Sequence, residues 1–545
     1  MTYTIEKVTT LIGARRYGDN DTNIGFILTD SRSLCFPEET LFFALKSERN
    51  DGHNYIPELY RRGVKNFVVT DVPKGYASDY PEANFLKVVN TLEALQRLAE
   101  RHRDEFNIPI VGITGSNGKT MVKEWLYQLL SPSMFVTRSP RSYNSQIGVP
   151  LSVWLMNEQT QVGVFEAGIS QPGEMLALRD IIQPTIAVLT NVGSAHQENF
   201  SSLEEKCREK LILFHDAETV VYDGDDEVIT KVVAEYPDYK GEKLFWSLKN
   251  PEAPFYVKKI EKQQSVSVIT YIYKGVEDSF SIPFIDDASI QNSIICAAVA
   301  SKIGLSAEDI DKRMALLEPV AMRLEVKVGQ HGCTLINDSY NSDINSLDIA
   351  LDFMNRRPDH RGRRHTLILS DIYQSGQTPE ALYKEVSDLA RKRGVVKFIG
   401  IGPELCKQHD TIQISEKFFF PNVEEFINSE VFASLRDEVI LLKGARQFGF
   451  DQLTELLVQK VHETTLEVNL NAVVANLNYY RAFMKPETKL VCMIKADGYG
   501  AGAVEIAKTL QDHRVDYLAV AVADEGVTLR KNGITSNIMI MNPEM

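Results

Sequence analysis

The chain has 545 residues, too many for a single hydrophobic core, so three or four domains are expected. Hydrophobic residues make up 44% and charged residues 24%, which is ordinary for a soluble globular protein. The 74 acidic and 59 basic side chains give a net charge of -15, which argues against a broad surface for nucleic acid or for membrane. A local basic pocket for an anionic small molecule remains compatible with this charge.

The six cysteines are scattered and contain no C-x-x-C pair. This usage predicts reduced thiols of a cytoplasmic protein rather than a disulfide framework or a zinc site. The N-terminus, MTYTIEKVTTLIGARR, has no apolar h-region, so no secretory signal is expected. The chain also lacks an apolar run long enough to predict a membrane span.

The first part of the chain, residues 1–108, mixes short strands such as FILTD and NFVVT with helices such as TLEALQRLAERHRDEF. This mixture predicts a small α/β domain. Pro109 precedes a new apolar strand and is a plausible boundary marker.

Two further α/β domains are expected after that boundary. In residues 109–322, apolar strands alternate with helices, which predicts a largely parallel sheet, and a β-rich insert follows at about 243–285. Residues 323–462 show the same alternation, with strands such as HTLILSD and VKFIGIG. The fold class expected for the chain is therefore α/β.

The last part of the chain, residues 463–545, shows a separate pattern of alternating strands and helices. Strands TLEVNL, KLVCMIKA and YLAVAV each precede a helix, and NIMIMN adds a fourth strand. Three β/α units and one strand predict the first part of a (β/α)₈ barrel, a fold that needs about 250 residues. Because only about 80 residues are present, a partial, truncated barrel segment is expected.

The stretch GITGSNGKT follows the apolar run IPIV and predicts a phosphate-binding loop. A glycine-rich turn between strand and helix aims backbone N–H groups and the helix dipole at phosphate. Lys119 would reach the terminal phosphates, and the Thr120 hydroxyl would hold Mg²⁺. The match to the usual P-loop spacing is imperfect by one residue, and the alternative is an ordinary glycine-rich turn that caps a helix.

Two more side chains, Glu166 and His196, are candidates for a metal site near this loop. Glu166 and His196 each follow the end of an apolar strand, where parallel sheets form their ligand crevice. A carboxylate suits Mg²⁺, whereas imidazole is not its preferred ligand. Lys210 lies in the charged stretch EEKCREK. The alternatives are a solvated glutamate, a structural histidine and a solvated helix lysine.

The variant T-G-S-N-G-K-T resembles the nucleotide loop of the muramyl ligases, the ATP-dependent peptide-bond formers of bacterial cell-wall synthesis, and of the related folylpolyglutamate synthetases. The resemblance implies a three-domain muramyl ligase with a central P-loop parallel-sheet domain, followed by the partial barrel. It also implies two Mg²⁺ ions held by Thr120, Glu166, His196 and Lys210, the last as a carbamate. The ATP-binding residues that it implies in the loop are Thr114, Gly115, Ser116, Asn117, Gly118, Lys119 and Thr120.

Other stretches extend the resemblance over roughly residues 26–450. TDSRSLCFPEETLFFALKSERNDGHNYI resembles the family's UDP-sugar domain and implies UDP contacts from Ser31 and Arg32. RSYNSQIGVPLSV resembles the Y-N-N-x-I-G-V-P segment and implies substrate contacts from Asn144 and Ser145, although Ser145 replaces an asparagine. The implied ATP contacts outside the loop are Asn292 in QNSIICAAVA, Arg323 in MRLE, and Asp338 and Asn341 in INDSYNSDINSLDIAL.

The branch of the family that YNSQIGVPLS and NDSYNS resemble most implies the reaction. ATP would phosphorylate the terminal carboxylate of UDP-MurNAc-tripeptide, and the amine of D-Ala-D-Ala would attack the acyl phosphate. Lys119, Glu166, His196 and Lys210 would be the catalytic groups, in a ligase part that is monomeric. The alternatives are a folylpolyglutamate synthetase-like enzyme, another muramyl ligase that adds a different amino acid, a nucleotide switch, and a racemase for which the ligase part is a scaffold.

The segment VCMIKADGYGAG resembles V-K-A-N-A-Y-G-H-G of the alanine racemases, whose lysine forms a Schiff base with pyridoxal phosphate. Lys495 holds that place. The departures are Asp497, Gly498 and Ala501. Because the family's phosphate-binding loops and catalytic tyrosine would lie beyond Met545, pyridoxal phosphate is expected only if the racemase part is complete, and the segment alone is expected to be inactive. A polar lysine at a strand end is the alternative.

Overall fold

The structure is a computed structural model, and it describes the chain apart from residues 35, 48–49, 141, 194–198, 237–238, 264, 321–323, 340–341, 357–361, 374–376, 446–447, 460–467, 486 and 543–545. Three predicted site residues, His196, Arg323 and Asn341, therefore lie outside the described residues. Most of the expected strand TLEVNL lies outside them too.

The N-terminal part contains a five-stranded sheet of order β2-β7-β6-β5-β4, in which the β2–β7 pair alone is antiparallel, and a separate two-stranded sheet of β1 and β3. Strands β5 and β6 are buried along their whole length, as expected for strands covered on both faces. The strands β1 to β7 are Tyr3–Thr4, Arg15–Tyr17, Asn23–Ile24, Phe26–Leu28, Thr40–Phe43, Asn66–Val69 and Asn84–Lys87, and the helices α1 to α4 are Ile5–Ile12, Ile56–Arg61, Tyr76–Asp79 and Thr91–Arg103.

The middle part contains a nine-stranded sheet of order β16-β15-β14-β13-β12-β11-β8-β10-β9. The seven strands from β8 to β14 are parallel, and β15 and β16 add antiparallel strands at one edge. The strands β8 to β16 are Ile110–Thr114, Val136–Arg138, Val162–Glu166, Ile186–Leu189, Thr219–Asp223, Glu242–Ser247, Phe255–Lys262, Ser267–Tyr273 and Val276–Ile282, and the helices α5 to α11 are Lys119–Leu130, Gly148–Val153, Glu174–Ile182, Leu203–Leu211, Glu227–Ala234, Asp287–Ile303 and Ala307–Met314.

The β-rich insert expected at about 243–285 is present as strands, but these strands continue the nine-stranded sheet instead of forming a separate unit. The physical reason is their apolar face: Phe255, Tyr271 and Phe280 join the same hydrophobic cluster as Trp125 of α5. Helix α10 covers this cluster and is buried at every position from Ile294 to Ala300. It packs against α5, and this contact brings the start of α10 next to the glycine-rich loop.

The third sheet has the order β17-β18-β22-β19-β20-β21 and is parallel apart from β17. Its apolar residues form clusters on both faces, as the doubly covered arrangement requires. The strands β17 to β22 are Glu325–Val328, Thr334–Asp338, Arg364–Ser370, Lys397–Ile401, Glu416–Phe420 and Glu438–Lys443, and the helices α12 to α17 are Ile344–Arg356, Pro379–Lys392, Pro403–Lys407, Val423–Ile427, Glu430–Ala433 and Phe450–Leu457.

The last part contains a parallel three-stranded sheet of order β23-β24-β25 with helices between the strands, which is the β/α rhythm expected for a barrel segment. The residues after β23 form a left-handed turn, with positive φ from Ala496 to Tyr499. The strands β23 to β25 are Val491–Met493, Tyr517–Val520 and Asn537–Ile540, and the helices α18 to α20 are Leu470–Arg481, Ala503–Asp512 and Ala523–Lys531. None of the helices in the described part of the chain combines the length and apolarity needed to cross a bilayer.

A buried histidine links the N-terminal part of the chain to the middle part. His102 of α4 is 1% exposed, and its ring lies beside Tyr3 and Trp154. Its Nε2 lies 3.1 Å from the Met156 carbonyl oxygen, which can only accept, so Nε2 carries the proton and Nδ1 accepts from the Tyr3 hydroxyl at 2.8 Å. Burial lowers the pKa of His102 to about 3. The imidazole is therefore neutral in the folded protein.

We expect this histidine to make the folded protein less stable in acid. The pKa of His102 is about 6.5 in the unfolded chain and about 3 in the folded protein. Its contribution to the free energy of unfolding is therefore complete above pH 6.5 and decreases by about 1.4 kcal/mol for each pH unit from pH 6.5 down to pH 3. Denaturant unfolding followed by tryptophan fluorescence should show a loss of about 2 kcal/mol between pH 7 and pH 5 from this group. His102→Gln keeps a donor for Met156 but cannot ionise. If the free energy of unfolding of His102→Gln falls with pH as steeply as that of the unaltered chain, the lowered pKa of His102 is contradicted.

Candidate active site

The glycine-rich loop connects β8 to α5 at the carboxyl edge of the nine-stranded sheet, between β10 and β11. Gly115 and Gly118 have φ of +144° and +83°. A Cβ at Gly115 would lie 1.9 Å from Thr190 Oγ1, and a Cβ at Gly118 would lie 2.6 Å from Asn292 Oδ1. Neither position accepts a side chain without displacing a neighbour, so the two glycines allow the loop its close contacts with β11 and α10.

The residues that follow β11 hold the loop in shape. The Ser116 amide donates to the Asn191 carbonyl at 2.9 Å, the Asn117 amide donates to Asn191 Oδ1 at 3.0 Å, and the Thr190 hydroxyl donates to the Asn117 carbonyl. Sequence reasoning missed Thr190 and Asn191, although both follow directly on an apolar strand. No side chain caps α5 at Gly118, so the helix N-terminus faces the loop with its amide dipoles available to an anion.

Lys119 folds back over this loop. Its Nζ donates to the Gly115 carbonyl at 2.7 Å and to the Ser116 carbonyl at 3.1 Å. Both acceptors are neutral backbone oxygens that are close to where a loop of this kind holds phosphate. The ammonium is thus positioned over the phosphate-binding concavity that the sequence predicts.

Glu166 ends β10 and has no exposed surface. Its Oε2 accepts from the Thr120 hydroxyl at 3.2 Å and from Asn144 Nδ2 at 3.4 Å, whereas the buried Oε1 accepts no hydrogen bond from the described residues. Thr120 and Asn144 line the neighbouring cavity. A hydroxyl and a carboxylate with spare acceptor capacity are hard oxygen ligands, so these residues fit Mg²⁺.

Lys123, which sequence reasoning missed, faces Glu166 from the next turn of α5. Its Nζ lies 3.2 Å from Glu166 Oε1 and 2.9 Å from Glu124 Oε1. The approach to Glu166 brings opposite charges together without the geometry of a hydrogen bond. The spacing from Thr120 to Lys123 places the two side chains on one helix face, a signal that the sequence contains but that no motif marks.

Lys210, on α8, reaches the loop from the opposite side. Its Nζ donates to the Gly115 carbonyl at 3.2 Å, and the residue is 2% exposed. Burial, together with the charges of Lys119 and Lys206, holds the pKa of Lys210 well below its usual range. Burial also lowers the pKa of Lys206 to about 8, against the opposing effect of Asp343. Sequence reasoning did not single out Lys206.

A cavity of about 420 Å³ opens beside the loop, a volume suited to a small-molecule ligand. Its lining includes Asn144, Ser145 and Asn292, and also Asp338 at the end of β18 in the third sheet. Asp338 forms a buried ion pair with Lys443, whose Nζ lies 2.8 Å from Asp338 Oδ2. The structure therefore brings residues from two sheets to one cavity.

A second cavity of about 980 Å³ lies in the N-terminal part, and its lining includes Ser31 and Arg32. The Arg32 guanidinium pairs with Asp30 at 2.6 Å and is 87% exposed. Ile147, from the segment that also carries Asn144, lines this cavity too. The YNSQIGVP segment thus contributes to both cavities.

Two predicted site residues remain in the described part of the chain: Thr114, the buried last residue of β8, and Lys495. The second of these, Lys495, lies in the C-terminal part. It follows β23 at the carboxyl edge of the three-stranded sheet, and its side chain is exposed. The next residue, Ala496, donates its amide to Glu525 Oε1 at 2.6 Å. Within the described residues, no group of three or more His, Cys, Asp or Glu side chains gathers into a metal cluster.

Comparison with known proteins matches two segments of the chain to families. Residues 113–300 match the Mur ligase middle domain, and residues 468–545 match the alanine racemase N-terminal domain. The UDP-N-acetylmuramoyl-tripeptide--D-alanyl-D-alanine ligase of Bacillus subtilis is 29% identical over 371 residues, which are 67% of this chain and 77% of that protein. The chain therefore contains a Mur ligase middle domain. Its C-terminal part carries an alanine racemase N-terminal domain, so the two resemblances seen in the sequence are confirmed.

Mur ligases of further organisms match over most of their length. The UDP-N-acetylmuramoyl-tripeptide--D-alanyl-D-alanine ligase of Borreliella burgdorferi is 27% identical over 446 residues, covering 80% of this chain and 93% of that one. The MurF crystal structure from Acinetobacter baumannii superposes with a TM-score of 0.72 at 21% identity, covering 84% of this chain and 99% of that one. MurF ligase from Thermotoga maritima, solved in complex with ADP, gives 0.67 at 22% identity, covering 79% and 96%. These structures confirm the Mur ligase fold.

Proposed function

We propose that the chain joins D-Ala-D-Ala to UDP-MurNAc-tripeptide in an ATP-dependent reaction that passes through an acyl phosphate. The observation that carries this proposal is the convergence of Lys119, Thr120, Glu166 and Lys210 around one glycine-rich loop. The names of the relatives support the choice of substrates, because the Bacillus and Borreliella ligases carry this activity in theirs.

The loop and Lys119 act on ATP in this scheme. The N-terminus of α5 and the Lys119 ammonium hold the phosphates while a carboxylate oxygen of the tripeptide attacks the γ-phosphorus and its bond to ADP breaks. The amine of D-Ala-D-Ala then adds to the acyl carbon and loses a proton, and phosphate leaves as the amide forms. Lys119 offsets the charge that develops on the transferring phosphoryl group.

Mg²⁺ would be held by Thr120, Glu166, His196 and a carbamate on Lys210. When bound, it supplies charge neutralisation at the phosphate oxygens. The buried Lys210 amine is suited to carbamate formation because a neutral amine is the form that attacks CO₂.

Three regions divide the work in this proposal. Residues 1–108 hold the UDP part through Ser31 and Arg32, and residues 109–322 hold ATP, with Asn292 near the adenine side. Residues 323–462 bring Asp338, Asn341 and Arg323 to the nucleotide and close over the site. Such closure excludes water that could hydrolyse the acyl phosphate. In this scheme Asn144 and Ser145 contact the peptide substrate, and their presence in the lining of the loop cavity supports this role.

The test is an ATP-dependent coupling assay with the full chain. Phosphate release should require both UDP-MurNAc-tripeptide and D-Ala-D-Ala, and mass spectrometry should show the pentapeptide product. Turnover with a folate and glutamate would favour the folylpolyglutamate synthetase alternative, and turnover with a single amino acid in place of the dipeptide would favour another muramyl ligase. Nucleotide hydrolysis independent of both substrates would remove the proposal.

For the racemase segment, residues 463–545, we propose that Lys495 is the residue that would hold pyridoxal phosphate. An exposed amine at the carboxyl end of a parallel strand can reach an aldehyde, which is why Lys495 fits this group. Pyridoxal phosphate would supply an electron sink for a carbanion at the α-carbon of alanine. Absorbance of a lysine-linked pyridoxal in the full chain, lost in Lys495→Ala, tests this assignment.

A further inference from the structure

Lys123 is a fully buried cation, and it has no role in the reaction proposed above. Burying an ammonium is strongly unfavourable unless partners compensate for its lost hydration. The partners here lie on three elements: Glu124 Oε1 on the same helix at 2.9 Å, the Ser139 carbonyl after β9 at 3.0 Å, and Glu166 Oε1 on β10 at 3.2 Å. The ammonium thus stands between the loop helix and the strand that presents Glu166.

Glu166 needs such a partner. It is fully buried, and the two groups that donate to Oε2, Thr120 and Asn144, are neutral. Among the described residues, its ion pair is with Lys123, on the Oε1 side. The two carboxylate oxygens of Glu166 therefore have different surroundings. Oε1 faces the charge of Lys123, and Oε2 faces Thr120 of α5, another proposed Mg²⁺ ligand.

The position of Lys123 is fixed by its partner Glu124, which is itself paired with Arg138. Glu124 Oε2 pairs with Arg138 Nε at 3.1 Å, and the Arg138 guanidinium lies 3.5 Å from the centre of the Tyr127 ring. The side chains of Glu124 and Arg138 are 23% and 21% exposed, so solvent screens this pair less than a surface pair. Because these contacts limit the positions open to the ammonium, Lys123 can constrain the orientation of Glu166.

We propose that Lys123 is a positioning residue that orients the Glu166 carboxylate toward the cation site beside Thr120. This inference rests on the proposed function, because it assumes that Glu166 and Thr120 hold a divalent cation with ATP. Lys123 acts through Glu166 and has no contact with ATP in this proposal. Lys123 lies three residues beyond the loop motif, which ends at Thr120, and would otherwise be assigned a purely structural role.

The test measures cation binding directly. Free Mn²⁺ is followed by electron paramagnetic resonance in the presence of a non-hydrolysable ATP analogue, for the full chain and for Lys123→Met. We expect Mn²⁺ affinity to fall about 10- to 100-fold, the range for partners that orient metal ligands. The apparent KM for Mg²⁺ in turnover should rise by more than kcat falls. The matched control is Lys397→Met, which removes another buried, ion-paired lysine from the third sheet.

The outcomes distinguish failure of the positioning role from failure of the proposed function. If Lys123→Met binds Mn²⁺ within twofold of the unaltered chain, as Lys397→Met should, the positioning role is wrong while the proposed function stands. If the unaltered chain binds no Mn²⁺ with the analogue, both fail. If Lys123→Met does not fold, Glu124→Gln replaces it: this variant keeps the ammonium but loosens its anchor, and we expect a smaller loss, of at least threefold. Unchanged affinity in a folded Glu124→Gln would also overturn the proposal.

Discussion

Lys119→Met is expected to lower kcat of the coupling reaction by about 10³-fold or more, which corresponds to about 4 kcal/mol of transition-state stabilisation. The reason is electrostatic: the Lys119 ammonium lies over the loop concavity, and methionine keeps the length of the side chain without its charge. Steady-state phosphate release with saturating ATP and both peptide substrates measures the effect.

The fold of this variant should be unchanged, because the Lys119 hydrogen bonds that the structure shows go to the loop's own carbonyls. Lys312→Met is the matched control, since Lys312 is a 66% exposed lysine on α11 that pairs with Glu308 of the same helix. It should retain activity within about twofold, as expected for an exposed pair. A Lys119→Met enzyme with more than a tenth of the original kcat would contradict the role given to the loop.

Lys210→Ala is expected to lower kcat by about 10²- to 10³-fold, because the change removes both the amine and the carbamate proposed to hold Mg²⁺. Formate or acetate should restore part of the activity, since a small carboxylate can occupy the space that the carbamate leaves. The carbamate itself can be seen: protein equilibrated with ¹³C-labelled bicarbonate should show one carbamate carbon resonance, which Lys210→Ala removes.

Lys206→Met is the control that separates the two buried lysines of α8. Both have lowered pKa values, but Lys210 donates to the Gly115 carbonyl whereas Lys206 donates to the Gly193 carbonyl. We expect Lys206→Met to retain the labelled resonance and to show no response to formate. If the resonance disappears in Lys206→Met and persists in Lys210→Ala, the carbamate has been assigned to the wrong lysine.

The two resemblances were readable from the sequence because each depends on a short contiguous motif. The string TGSNGKT runs from the last residue of β8 through the turn to the start of α5, and its glycines mark the backbone conformations that the structure shows at Gly115 and Gly118. VCMIKADGYGAG is likewise one contiguous stretch, and it carries the resemblance to the alanine racemases without any long-range contact. The placement of Glu166 at a strand end also followed from pattern, since an apolar run that stops at a carboxylate is visible without a structure.

Other features could not be read in this way because they depend on which strands become neighbours. Strands β13 to β16 looked like an insert, but an apolar face shared with α5 and α10 extends the nine-stranded sheet through them. Thr190 and Asn191 support the loop only because β11 lies directly beside β8. No periodicity or motif specifies that pairing.

By itself, the sequence determined the α/β class, the glycine-rich loop between a strand and a helix, the Mur ligase and alanine racemase resemblances, and the chemical type of each candidate ligand. Local dihedral preferences and hydrophobic period are properties of contiguous residues, so these conclusions need no long-range contact. Only the tertiary structure decided that Glu166 is fully buried, that Lys123 faces it, that Lys210 reaches the loop, and that Asp338 of another sheet lines the same cavity. These features arise from packing between elements distant in the chain, where burial and neighbouring charge determine the chemistry of each side chain.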